Sequence, residues 1–177
     1  MTKLAPILLA EDDVNDVLLF TCALKHTALP TPLIVSRDGQ QTVDFLELLA
    51  RYRDRFLHPL PCLLLLDLKM PRLSGFDVLA WLQKRPDLQS VPAVVLSSSP
   101  QAPDMLIARE LGAVDYRVKP ACVEDYAILI KDVGARWVEH KTPMPVAALR
   151  QAKTAESSSR LLASPAAKSS RAPAFAF

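Results

Sequence analysis

Four short apolar runs and one alternating one punctuate the first part of the chain: Leu4 to Ala10 (LAPILLA), Leu33 to Ser36 (LIVS), Cys62 to Leu66 (CLLLL), Val91 to Leu96 (VPAVVL) and the alternating Val114 to Val118 (VDYRV). Short runs of this kind, bounded by charged or turn-forming residues, read as strands, and an unbroken apolar one such as CLLLL as a strand buried on both faces, as in the middle of a parallel sheet. Between them apolar residues return at helical spacing. Val14, Val17, Leu18, Ala23, Leu24 and Ala28 predict a helix from Val14 to about Ala28, stopped by Pro30 and Pro32. After a turn at Asp38-Gly39, a second helix runs from about Gln40 to Arg51 on Val43, Leu46 and Ala50, broadened by Phe45, Leu48 and Leu49. Phe76, Val78, Leu79 and Leu82 mark a third, halted near Pro86, and a fourth spans about Pro103 to Leu111 with Gly112 as its cap. The fifth, about Val123 to Glu139, turns Tyr126, Leu129, Ile130, Val133 and Trp137 inward. Parallel strands need crossovers and the helices then cover both faces, so the alternation predicts a three-layer α/β domain around a five-stranded parallel sheet.

The pattern stops near His140. Beyond it SSS, SPAAKSS and APAFAF are rich in Ala, Ser and Pro without sustained periodicity. The division is therefore a domain over residues 1–140 and a disordered tail over 141–177. Charge divides the same way: residues 1–140 carry 15 Lys and Arg against 18 Asp and Glu, and residues 141–177 carry 6 against 1. The whole chain of 177 residues is 50% apolar and 23% charged, the composition of a globular protein, and no apolar run approaches the roughly 18 residues of a membrane span. Cys22, Cys62 and Cys122 lie far apart, with no CxxC, and read as reduced core thiols of a cytoplasmic protein rather than zinc ligands. The connection Arg51 to Pro61 is basic, aromatic and longer than usual.

Candidate chemistry gathers where the strands end. The first run delivers Asp12 and Asp13, the third Asp67, the fourth Ser97 and the fifth Lys119. With strand order 2-1-3-4-5 the first and third strands are neighbours, and the carboxyl edge at that switch point is where ligands bind. Carboxylates crowded there repel one another unless a cation sits between them or a pKa rises. Oxygen ligands without histidine favour Mg²⁺. A cation, a hydroxyl and an ammonium around Asp67 suit a phosphoryl group, with Asp67 as nucleophile, Lys119 neutralising charge and Ser97 donating a hydrogen bond. No GxxxxGK[ST] loop for a nucleotide is present, so the donor must bring its own good leaving group; phosphohistidine or a small acyl phosphate would fit. Glu11 reads as a solvated flank, Lys69 as a surface lysine whose backbone carbonyl matters, and His26, His58 and His140 as surface residues.

Four segments together, AEDD (Ala10 to Asp13), LLLLDLKMPRLSG (Leu63 to Gly75), VPAVVLSSS (Val91 to Ser99) and GAVDYRVKP (Gly112 to Pro120), resemble the receiver domain of two-component response regulators over about residues 3–140. The resemblance implies a doubly wound, flavodoxin-like sheet. It also implies a phosphoaspartate at Asp67, Mg²⁺ held by Asp12, Asp13, Asp67 and the backbone carbonyl of Lys69, and a phosphoryl contact from Lys119. Ser97 then stands at the switch hydroxyl and Tyr116 at the aromatic position that moves with it. Ser98 is bulkier than the alanine often found there, which bears on how fast water reaches the phosphate. The EDDVND start, the long connection and the LSSS segment look like the stand-alone regulators paired with bacterial phytochromes. The implied partner is a sensor histidine kinase, in that closer likeness a phytochrome-type one, with an unidentified downstream protein and homodimerisation through the fourth and fifth helices.

Three other readings compete with this one. An aspartate-nucleophile phosphatase would also use Asp67 with Mg²⁺, but carries a second acid where this chain has Lys69. A docking module indifferent to phosphate leaves the acidic residues and Lys119 without a purpose. The basic tail could attract nucleic acid non-specifically, but aromatics are absent from it until Phe175 and Phe177, so no specific nucleic acid is expected, and no membrane.

Overall fold

The computed structural model describes residues 4–27 and 29–138; His140 and the tail expected over 141–177 lie outside them. Strands β1 (Ile7–Ala10), β2 (Leu33–Ser36), β3 (Leu63–Asp67), β4 (Ala93–Ser97) and β5 (Asp115–Val118) form one sheet in the order β2-β1-β3-β4-β5. All four pairings are parallel. Helices α1 (Val14–Lys25), α2 (Gly39–Arg51), α3 (Gly75–Gln83), α4 (Ala102–Glu110) and α5 (Val123–Val133) flank the strands in alternation, and a π-helical turn, Gly134–Val138, continues α5.

Alternation along the strands divides the core in two. Ile7, Leu9, Leu63, Leu65, Val94 and Leu96 face α1 and α5, where they meet Phe20, Ala23, Tyr126, Leu129, Ile130 and Val133. Leu8, Ala10, Leu64, Leu66, Ala93 and Val95 face the other way, onto Val43, Leu46, Val78, Leu79 and Ala108. Successive strand side chains point to opposite faces, so a run such as Leu63 to Leu66 has to be apolar at every position.

Several element ends depart from the sequence pattern for local reasons. Asp38-Gly39 is a helix start: the Asp38 carboxylate accepts the Gln41 N–H at 2.8 Å, and Gly39 is the first residue of α2. β4 begins at Ala93, because the Val91 N–H closes a 3₁₀ turn on the Leu88 carbonyl and Pro92 has no N–H to give. α1 stops at Lys25, short of Ala28, with His26 as its cap. Its buried residues are Val17, Phe20 and Ala23, whereas Val14 and Leu18 are exposed. The cysteines also differ from expectation. Cys62 is buried, but Cys22 is exposed on α1 and Cys122 is half-buried ahead of α5, and none of the three forms a disulfide. Among the described residues no helix is long and apolar enough to cross a membrane.

The β3–α3 loop is fixed at both ends. A Cβ on Gly75 would collide with the Asp67 carbonyl oxygen, and one on Gly39 with the Leu73 carbonyl, so glycine lets this loop lie against β3 and α2. Ser74 caps α3 reciprocally with Asp77. Arg72, at φ 66°, pairs with the buried Asp38.

Candidate functional site

Parallel registration sets the site. Ala10 pairs with Leu66 and Asp67 with Leu96, so β1, β3 and β4 end together and the residues just past their ends meet at one edge. Asp67 is the last residue of β3 and is 4% exposed. Lys119, just past β5, sends its side chain back over that edge: Nζ donates to Glu11 Oε2 at 2.7 Å and Asp16 Oδ2 at 2.9 Å, and lies 3.3 Å from Asp67 Oδ1. Ser97 ends β4 with 1% exposure, its Oγ accepting the Ser99 N–H at 3.1 Å.

The carboxylates brought together are Glu11, Asp12 and Asp67, each with an oxygen within 4.8 Å of the others. This corrects the expected trio of Asp12, Asp13 and Asp67. The Asp13 carboxylate accepts the Asn15 N–H at 2.7 Å as the cap of α1, and Glu11 takes its place in the cluster. Glu11 is no solvated flank: it is 2% exposed and bound to Lys119. Burial pushes its carboxyl up to about 7, against the pull of the Lys119 ammonium. The Asp67 carboxyl is raised by the same cause, again partly offset by Lys119. Burial opposes the charge of Lys119 too, but its bonds to Glu11 and Asp16 and the charge of Asp67 outweigh that, and its pKa lies above the usual lysine value. One cation thus keeps its own charge but offsets only part of the cost of burying two anions. An all-oxygen, part-buried and under-neutralised cluster fits a hard divalent cation such as Mg²⁺.

The family model described as the response regulator receiver domain matches residues 7–131. The chain belongs to this family. Response regulator Rcp1 of Synechocystis is 34% identical to this receiver over 136 residues, 77% of this chain and 90% of that protein. The Mn²⁺-bound form of Rcp1 superposes with a TM-score of 0.65 at 32% identity, covering 80% of this chain and 99% of the other. The phosphorylated cyanobacterial phytochrome response regulator RcpA gives 0.67 at 28% identity, over 80% and 99% of the two chains.

Other expected receiver positions are distributed around the cluster. Lys69 lies in the β3–α3 loop with its side chain exposed. Tyr116, half-buried on β5, donates its hydroxyl to the Ser99 carbonyl at 2.7 Å, so the aromatic is tied to the segment just after Ser97. His26 is exposed, whereas His58 is half-buried and stacks on Tyr52 at 3.9 Å between ring centroids. Sequence reasoning missed two residues, Glu11 and Asp16. For Glu11 a signal existed: it is the first charged residue after LAPILLA, as Asp67 is after CLLLL. For Asp16, inside α1, no comparable signal existed.

Proposed function

We propose that this receiver is a single-domain phosphoacceptor switch: Asp67 takes a phosphoryl group from a partner histidine kinase and the change is read out through protein contacts. The observation that carries this reading is the buried Asp67 carboxylate with the Lys119 ammonium 3.3 Å away and Glu11 and Asp12 beside it. An Asp67 oxygen attacks phosphorus, the P–N bond of the phosphohistidine breaks, and its electron pair returns to the imidazole nitrogen. Lys119 offsets the negative charge of the phosphoryl oxygens, and the Ser97 hydroxyl turns from its local bond to donate to one of them. Mg²⁺, when bound, supplies further neutralisation; Glu11, Asp12, Asp67 and, by family resemblance, the Lys69 carbonyl would hold it.

Movement of Ser97 pulls the loop to which Tyr116 is tied, which couples the site to the surface of α4, β5 and α5. That surface carries exposed Met105, Leu106 and Ile107, with Leu106 at 63%, suited to a protein partner or a second copy. The likeness to RcpA, a phytochrome response regulator by name, supports a phytochrome-type kinase as partner, and a cytoplasmic site of action with it. Incubation with Mg²⁺ and acetyl phosphate, followed by intact mass, tests the proposal. The expected result is one added phosphoryl group on the wild type and none on Asp67→Asn; addition that survives the substitution overturns it.

A further inference from the structure

Lys119 is surrounded by more negative charge than phosphoryl chemistry at Asp67 accounts for. Asp16, in the first turn of α1, accepts from Lys119 Nζ at 2.9 Å, a closer contact than the one to Asp67 at 3.3 Å. An acidic residue in a first helical turn complements the helix dipole, but that role requires no partner 103 residues away. Asp16 also stands outside the group of Glu11, Asp12 and Asp67 that could share a cation. The ammonium has three protons to place and here meets three carboxylates, two of which belong to that group. An ammonium and a divalent cation drawing on Glu11 and Asp67 together also repel each other at close range.

Building on the Mg²⁺-dependent reading above, we infer that Asp16 is a positioning residue for Lys119. With Glu11 and Asp67 committed to a divalent cation, Lys119 keeps one carboxylate that the cation does not share, and stays beside Asp67 without competing for the metal oxygens. The side chain of Lys119 is 8% exposed, so without Asp16 water offers little replacement and the ammonium falls back on Glu11 and Asp67.

Calorimetric titration of Mg²⁺ into the wild type, Asp16→Asn, Lys119→Met and the double variant tests this. Asp16→Asn is expected to weaken Mg²⁺ binding about five- to tenfold in the wild-type background and by less than about twofold in the Lys119→Met background. Lys119→Met alone is expected to tighten it. Equal weakening in both backgrounds would make Asp16 a general negative charge and overturn the inference, as would an unchanged affinity in Asp16→Asn. A second readout is the ¹⁵N signal of the Lys119 ammonium at saturating Mg²⁺: observable in the wild type, lost to fast exchange in Asp16→Asn and restored in Asp16→Glu. Persistence of that signal in Asp16→Asn counts against the inference. A wild type that binds no Mg²⁺ sinks the phosphoacceptor reading and this one with it, whereas failure confined to the variants sinks this one alone.

Discussion

Glu11 shows how far a single side chain depends on its surroundings. Its carboxyl is pushed up to about 7 by burial, so below neutral pH it holds a proton that an exposed glutamate would have released. A cation entering the cluster has to displace that proton below pH 7 and need not above it. Mg²⁺ affinity is therefore expected to rise with pH by about tenfold per unit up to about 7 and then level off. Glu11→Gln removes both the ligand and the titration. Titrations from about pH 5.5 to about 8.5 should then give weaker binding with the slope below 7 reduced, and an unchanged slope would assign the proton elsewhere.

At the scale of elements, the end of β3 and the start of α3 form one unit. Gly75 donates its N–H to the Leu68 carbonyl at 3.0 Å, and a Cβ there would meet the Asp67 carbonyl oxygen and the Leu68 Cα. Gly75→Ala is expected to cost about 1–3 kcal/mol in urea unfolding and to slow phosphorylation by acetyl phosphate, because the strain falls on the backbone of Asp67 itself. α4 presents the opposite situation. Ala108 is its one buried residue among the described ones, while Met105, Leu106 and Ile107 face outward. Leu106→Asp should leave the unfolding midpoint nearly unchanged. If α4 forms the homodimer surface, the same change abolishes dimerisation of the phosphorylated protein in sedimentation; dimers that persist place the interface elsewhere.

At the scale of the whole molecule, every described strand and helix lies between Ile7 and Val138. A chain ending after Thr142 is expected to keep the thermal midpoint and the phosphorylation rate of the full chain; a fall in either, by calorimetry or intact mass, would assign the basic tail a part in the receiver itself. The sequence alone determined the layers and the order in which strands and helices alternate. Apolar runs with no polar break can be buried only between helices, so CLLLL had to be a central strand and Asp67 had to stand at its edge, with Ser97 at the end of VPAVVL; Lys119 follows the alternating edge strand VDYRV. Which of three consecutive acids entered the cluster was not legible. Glu11, Asp12 and Asp13 differ little as letters, and their fates were divided by where β1 ends and α1 begins: the first is buried against Lys119, the second joins it at the cluster, and the third caps the helix. Tertiary structure decided this, and it alone brought Asp16 to Lys119, because a contact across 103 residues depends on how α1 and the end of β5 pack around the same edge, which no local pattern encodes.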